Sequence, residues 1–225
     1  MPGTVLLLAG GTTPSPQVQR ALPPAAMCIA ADSGIDHARA LGRVPDLVVG
    51  DFDSVTDEGL AWAAEVGATI DRHPSAKDET DLEIALDHAL AAEPDHIVVA
   101  GIGGGRLDHL LANFAVLAAR RFAAVRIDGL VQTSLVSVVH TERQLQGDPG
   151  ELVSLLSMHG DAHGVTTVGL GYPLRNESLR SGSSRGVSNY FEQPLATVSV
   201  AEGTLLAIQP ERLIPAADRP AGTVR

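Results

Sequence analysis

Four short polar clusters hold the side chains with which this sequence could do chemistry. The densest is Asp46-Leu-Val-Val-Gly-Asp51-Phe-Asp53-Ser54, where two carboxylates stand two residues apart behind an apolar run. On extended backbone both would point the same way, because strand side chains repeat every two residues. Like charges that close raise each other's proton affinity unless a cation lies between them. Mg²⁺ or Ca²⁺, which take carboxylate oxygens, would resolve the conflict. The structural alternative is a turn, since Asp and Ser are favoured turn formers. Three further clusters weigh toward the cation: Ala30-Ala31-Asp32-Ser33-Gly34, Lys77-Asp78-Glu79-Thr80-Asp81 and Gly101-Ile-Gly103-Gly104-Gly105-Arg106-Leu-Asp108-His109.

Each cluster has its own chemistry. Asp78 and Thr80 are the two candidate N-caps of a following helix, and Asp81 suits its positive end. A cap does not account for Lys77, the only lysine beside 15 arginines. Lys77 fits a phosphate contact, and a salt bridge explains it equally well. The glycine cluster ends on Arg106 where a dinucleotide fingerprint wants Gly or Ala, and no P-loop is present because the one lysine does not follow glycine. What remains is a Gly-rich turn into a helix, whose backbone N–H groups suit phosphate oxygens. Arg106 adds a charge-assisted contact. Asp108 beside it repels phosphate unless a metal intervenes, so polyphosphate with Mg²⁺ reconciles the set. Gly10-Gly11-Thr12-Thr13 is either a further phosphate loop or only a turn.

The elements that must position these residues change character along the chain. Up to about Gly129, continuously apolar runs (Val5–Ala9, Met27–Ala31, Leu47–Val49, Ala68–Asp71, His96–Ala100, Ala124–Ile127) alternate with helical stretches near Ile35–Leu41, Asp57–Glu65, Thr80–Ala91 and Leu107–Arg121. Runs without polar alternation belong to strands covered on both faces, so an α/β domain with a doubly wound, mostly parallel sheet is expected. In such sheets ligands bind at the C-terminal strand ends, where all four clusters fall. Beyond about Ser134 the pattern becomes short strands and turns: Leu135–His140, Leu152–Ser157, Val165–Leu170, Gly186–Phe191, Ala196–Val200 and Thr204–Ile208. An all-β unit, sandwich or barrel, follows. The expected divisions are residues 1–132, 133–213 and a flexible tail at 214–225, rich in Pro and Ala.

Charge supports the same focus. Residues 1–112 hold 17 acids against 6 bases, the remainder 10 of each, so the whole net charge of −11 lies in the first half. Nucleic acid and anionic membranes want a basic face, and neither is an expected partner. The one cysteine, Cys28, excludes an internal disulfide and suits a reducing cytoplasm. No run approaches a membrane span, and no leader pattern is present. With only seven aromatics, Ala, Val, Leu and Ile must fill the core. His159 and His163 have zinc-like spacing, but Gly160-Asp161-Ala162 between them reads as a hairpin turn and no further ligand completes a set. Ser188-Asn189-Tyr190-Phe191 places two polar groups beside two rings, fit to stack on a flat ligand or to pack an edge.

Ala-Asp-Ser-Gly, Pro-Asp-Leu-Val-Val-Gly-Asp-Phe-Asp-Ser, Lys-Asp-Glu-Thr-Asp-Leu-Glu-Ile-Ala-Leu and Gly-Gly-Gly-Arg-Leu-Asp-His, followed by Gly169-Leu-Gly-Tyr172-Pro-Leu174, Glu177-Ser-Leu and Ser188-Asn189-Tyr-Phe191, resemble in order and spacing the thiamine pyrophosphokinases of bacterial type. The resemblance spans roughly residues 5–210. It implies conversion of ATP and thiamine to AMP and thiamine diphosphate with Mg²⁺, in a homodimer whose thiamine sites lie between the α/β domain of one subunit and the β domain of its partner. By motif match, Asp51, Asp53 and Asp81 carry the metal and the catalysis, while Asp32, Lys77, Thr80, Arg106 and Asp108 serve ATP. Ser188 and Asn189 fall on the thiamine side. One departure is Gly171, where bacterial relatives tend to carry lysine. The rival readings are a metal-dependent nucleotide phosphohydrolase and a non-catalytic nucleotide- or thiamine-binding regulatory module.

Overall fold

The computed structural model describes residues 3–104, 106–215 and 218–219. They cluster into two compact units: Met1–Val116 with Val125–Gln132, and Leu117–Ala124 with Thr133–Arg225. The division is not a single cut, because Leu117–Ala124 joins the second unit and the chain then returns to the first.

The first unit is built on six parallel strands: β1 (Thr4–Leu8), β2 (Met27–Ala31), β3 (Leu47–Gly50), β4 (Thr69–Arg72), β5 (His96–Ala100) and β6 (Arg126–Val131). Their order is β4-β3-β2-β1-β5-β6. Direction of travel therefore reverses between β1 and β5, and the crevice above that reversal is where open parallel sheets take ligands. From Val5, Cys28, Leu47 and Ile97 onward these four central strands are buried to their ends. That burial explains why their sequences lack polar alternation. Edge strand β4 is largely exposed and reads Thr-Ile-Asp-Arg, with charges that discourage pairing to another chain.

Helices α1 (Pro16–Ala21), α2 (Gly34–Ala40), α3 (Asp57–Glu65), α4 (Asp81–Ala91) and α5 (Leu107–Leu117) complete the unit. Ser15, Thr56 and Thr80 cap α1, α3 and α4, each accepting a backbone N–H with its side-chain oxygen. Sequence reading had not anticipated α1, a six-residue helix whose only buried residue is Val18. Expected helix Leu107–Arg121 instead stops at Leu117 and gives way to a 3₁₀ turn at Arg120–Phe122, which buries Phe122 completely.

In the second unit, β7 (Ser134–Val139), β8 (Glu142–Gln146), β9 (Leu152–Val168), β10 (Glu177–Leu179), β11 (Asn189–Tyr190), β12 (Leu195–Ser199) and β13 (Glu202–Gln209) pair antiparallel in the order β7-β13-β9-β12-β8, with β10 and β11 also on β9. Here the structure corrects the sequence reading. Residues expected as two strands with a hairpin turn at Gly160-Asp161-Ala162 form one continuous strand, β9. His159, Gly160 and Gly164 take positive φ, and the register with β13 slips between Glu202↔His163 and Thr204↔Met158. The irregularity bends β9 rather than ending it, so Ser154–His163 pairs with β13 and Thr166–Val168 with β12. One apolar cluster, including Val153, Val165, Phe191, Val198 and Leu205, fills the space that the bend encloses. Strands β8 and β10 were unanticipated, and the expected strand Gly186–Phe191 shrinks to Asn189–Tyr190. Of the expected tail at 214–225, residues 216–217 and 220–225 lie outside the described residues. Arg219 donates to Asp148 Oδ2 at 2.7 Å and to Glu151 Oε2 at 2.8 Å.

Among the described residues no helix is long and apolar enough to cross a membrane. Helix α2 starts hard against β1: a Cβ on Gly34 would lie 2.0 Å from the Leu8 carbonyl oxygen. Gly34→Ala should therefore cost about 1–3 kcal/mol, the usual range for overpacking. A lowered urea midpoint checks this, and an unchanged midpoint would show that α2 can move away freely.

Candidate active site

Because the strands of the first unit are parallel, their C-terminal ends open on one edge, and a cleft of about 780 Å³ lies there. Two glycine-rich loops form the part above the β1/β5 reversal. Gly11 N–H donates to the Gly101 carbonyl at 2.7 Å, and Thr12 donates to the Gly103 carbonyl through both its N–H (2.7 Å) and its hydroxyl (2.6 Å). The approach leaves no room for side chains: a Cβ on Gly11 would fall 2.3 Å from the Gly101 oxygen. Gly101 and Gly104 also need positive φ.

Opposite these loops, the ends of β2 and β3 bring three carboxylates together. Asp32, Asp51 and Asp53 each place an oxygen within 4.8 Å of the others. Extended backbone is not what aligns Asp51 with Asp53. Phe52 between them has φ 65°, and the Asp53 N–H donates to Asp51 Oδ1 at 3.1 Å. Turn and carboxylate cluster are thus one feature: the chain doubles back through a left-handed residue and the Asp51 side chain closes the turn. Phe52 sits in the apolar cluster with Ala30, Ile35, Val48 and Ala63, under the Arg72 guanidinium 4.7 Å from its ring centre. Asp32 also has positive φ, 48°, and accepts a hydrogen bond from the Ser54 hydroxyl at Oδ2.

Electrostatics divide the cluster. Asp51 is held below the ordinary carboxylate range, chiefly by the Asp53 N–H, with Ser75 and Lys77 assisting. Asp53 is raised, first by the Asp51 charge and then by desolvation and Asp32. Asp32 Oδ1 is buried without a hydrogen-bond partner. A buried oxygen left bare beside two further carboxylates fits a hard divalent cation with oxygen ligands. Lys77 lies 3.1 Å from Asp81 Oδ1 and 3.9 Å from Asp51 Oδ2, and donates to the Pro74 carbonyl at 3.1 Å. Both the salt-bridge reading and the cleft position of Lys77 therefore hold. Thr80 is the N-cap of α4, accepting the Glu83 N–H at 3.3 Å, and Asp78 is not.

Thus Asp32, Asp51, Asp53, Lys77, Thr80, Asp81 and Arg106 line one cleft. Asp108 does not line it. Its carboxylate pairs with Arg106 at 2.6 and 3.2 Å, and that hydrogen-bonded guanidinium holds it down at about 2. Asp81 stands outside the set of three clustered carboxylates. Ser188 and Asn189 belong to the second unit. Asn189 is buried, and its amide is engaged there, accepting from the Tyr172 and Tyr190 N–H groups and donating to the Tyr172 carbonyl. Exposed Ser188, at φ 61°, donates its N–H to Ser154 Oγ. Gly171 has a local cause: a Cβ there would lie 2.0 Å from the Tyr190 ring, which meets Tyr172 edge to face at 5.5 Å. Sequence reasoning missed Ser75 and Asn113. Asn113 also lines the cleft and donates to the Ile102 carbonyl at 3.2 Å. Its helical spacing after the glycine cluster, about two turns on the face of Arg106, was the available signal.

A parallel α/β unit whose carboxylate cluster and glycine-rich loops meet at the strand reversal belongs to the open-sheet class of proteins that take ligands at the C-terminal strand ends. Comparison narrows the class. Residues 18–127 match the thiamin pyrophosphokinase catalytic domain, and residues 137–205 match the thiamin pyrophosphokinase vitamin B1 binding domain. Thiamine pyrophosphokinase of Bacillus subtilis (strain 168) is 30% identical over 192 residues, 80% of this chain and 86% of that protein. The crystal structure of thiamine pyrophosphokinase from Bacillus subtilis superposes with a TM-score of 0.79 at 29% identity, covering 92% of this chain and 98% of that one. That of thiamin pyrophosphokinase from Geobacillus thermodenitrificans gives 0.77 at 27%, covering 92% and 96%. This chain belongs to the thiamine pyrophosphokinase family of enzymes, as its ordered motifs imply.

The electrostatic division has a sign that can be measured. Asp53 binds its proton more readily folded than unfolded, so its share of stability falls as pH rises through the carboxylate range. Asp51, held low, acts in the opposite sense. In metal-free protein, carboxyl NMR titration should find Asp53 above the ordinary Asp value, and Asp51→Asn should bring it down. An Asp53 that titrates alike in both proteins would remove Asp51 as the cause.

Proposed function

We propose that the chain transfers the pyrophosphoryl group of ATP to the hydroxyl of thiamine, releasing AMP and thiamine diphosphate, with Mg²⁺. The observation that carries this reading is the three-carboxylate cluster, with its bare Asp32 oxygen, facing two glycine-rich loops in a family member that matches both catalytic and vitamin B1 binding parts. Asp32, Asp51 and Asp53 would hold Mg²⁺, which supplies charge neutralisation to the polyphosphate. Arg106 and the N-terminal end of α5, just beyond the β5 loop, receive the phosphate oxygens, while the Gly11 and Thr12 N–H groups stay engaged in holding the two loops together. Lys77 and the N-terminal end of α4 lie across the cleft, where they fix the polyphosphate chain. In the transfer, the thiamine hydroxyl oxygen bonds to the β-phosphorus while the bond from that phosphorus to the α,β-bridging oxygen breaks. AMP leaves with the electron pair. The hydroxyl proton passes to a carboxylate, for which Asp53 and Asp81 are the two candidates. Catalysis is then mostly positioning and electrostatics, as phosphoryl-type transfer requires.

A reducing cytoplasm suits the chain, whose one thiol, Cys28, is pushed up to about 12 by burial. A homodimer is supported by apolar side chains exposed on the second unit, among them Val168 (61%), Tyr172 (58%) and Leu195 (46%). Light scattering should return twice the chain mass; a monomer at assay concentration would remove this support.

The decisive assay follows nucleotide products with and without thiamine. AMP should form only when thiamine and Mg²⁺ are both present, and Asp51→Asn should lower turnover by at least about a hundredfold, the scale of losing one electrostatic element. Its melting temperature should fall slightly at neutral pH, because the ionised Asp51 is held in the folded state by the Asp53 N–H and Lys77, whereas Asp53→Asn should leave it level or raise it. ADP with thiamine monophosphate would overturn the pyrophosphoryl step. Thiamine-independent phosphate release would favour a nucleotide phosphohydrolase, and ligand binding without product a regulatory module.

A further inference from the structure

Away from the cleft, the outer flank of the first unit gathers a second set of ligand-bearing side chains. Asp71 is the third residue of edge strand β4, and His73 follows two residues later, where its N–H continues the pairing by donating to the Gly50 carbonyl at 2.9 Å. The two-residue spacing puts both side chains on one face. His88 reaches the same point from α4. Its Nε2 lies 2.8 Å from Asp71 Oδ2, and His73 Nε2 lies 3.0 Å from that same oxygen. All three potential ligand atoms fall within 4.8 Å of one another. The side chains are neither buried nor free: 35% exposed for Asp71, 29% for His73 and 40% for His88. Water and ions therefore reach the group, and coordination positions remain open beyond the three protein donors.

We propose that Asp71, His73 and His88 form a cation site separate from the cleft, selective for a divalent transition metal of the zinc class. The donor chemistry decides the class. Two imidazole nitrogens and one carboxylate oxygen suit Zn²⁺, Co²⁺ or Ni²⁺, whereas the all-oxygen set of Asp32, Asp51 and Asp53 suits Mg²⁺. Binding needs only a rearrangement already within reach. Each neutral imidazole, with its hydrogen on Nδ1, turns the Nε2 lone pair to the ion, which enters between the two rings and Asp71 Oδ2. An ion there fastens the edge strand to α4. Asp81 and His88 are seven residues apart, so they lie on nearly the same stripe of that helix, about 10 Å from one another along its axis. Fastening at His88 thus steadies the helix that carries Thr80 and Asp81 into the cleft.

The test uses untagged full-length protein without ATP, titrated with Zn²⁺ in the presence of excess Mg²⁺ and followed by calorimetry, with Co²⁺ as a spectroscopic probe of nitrogen ligation. One equivalent of Zn²⁺ should bind to the wild type and to Asp53→Asn alike, and should raise the melting temperature of both. His88→Gln and His73→Gln should each weaken Zn²⁺ binding by at least about tenfold and abolish the thermal shift. Should His88→Gln fail to fold, His73→Gln, altered beyond the strand end, makes the same comparison. Zn²⁺ binding lost in Asp53→Asn but kept in the histidine variants would assign the ion to the cleft and overturn the proposal. Absence of Zn²⁺ binding under excess Mg²⁺ would overturn it equally.

Discussion

Holding three carboxylates together against their own repulsion is the constraint around which the first unit is organised. Asp32, Asp51 and Asp53 project from neighbouring strand ends, and no single flexible loop could keep them within 4.8 Å of one another at this charge density. The buried parallel strands supply the stiffness. Local devices do the rest: a left-handed residue between Asp51 and Asp53, an N–H aimed at Asp51, the Ser54 hydroxyl on Asp32, and the Lys77 ammonium between Asp51 and Asp81. Phe52 shows how closely the two levels are tied. Its backbone makes the turn that gathers the carboxylates, and its ring is sunk in the core that fixes the turn in place.

The facing side of the cleft solves the complementary problem. There the loops after β1 and β5 hold each other through backbone hydrogen bonds, approaching so closely that side chains are excluded. Glycine serves there through its lack of a Cβ as much as through its backbone freedom. At the rim, Arg106 and Asp108 pair in solvent, so the guanidinium is kept near the cleft while the carboxylate is turned away from it. The net charge of −11 is thus unevenly used: a few carboxylates create a concentrated field and the others solvate the surface.

Legibility in the sequence followed physical range. Strands β2 and β5 were readable to the residue, because a fully buried strand writes itself as an uninterrupted apolar run. Helix α3 was equally clear over Asp57–Glu65, although its cap, Thr56, was found only in the structure. The bend of β9 was not, since Gly160-Asp161 carries the composition of a turn and only pairing with β13 and β12 on either side keeps the chain extended. The carboxylates were legible as a group, but their alignment through Phe52 rather than along a strand was not, because backbone handedness at a phenylalanine leaves no compositional mark. Asp71, His73 and His88 escaped for a related reason: two elements far apart in sequence meet only in the folded unit. Asn189 was visible as a polar residue among aromatics, yet its three hydrogen bonds to the backbone of Tyr172 and of its neighbour Tyr190 needed coordinates.

The bent strand also sets a schedule for synthesis. Strand β13 lies between β7 and the first half of β9, so both wait for a partner that is made only after β12. A nascent chain that has emerged only through β12 therefore presents two largely apolar strands with open hydrogen-bonding edges. Neighbouring polypeptides could capture them before residue 209 leaves the ribosome. Within the first unit the last strand, β6, meets no such delay, because its partner β5 is already made when it appears. The speed of translation between β9 and β13, and any chaperone that shields strand edges, should therefore bear on the yield of this protein.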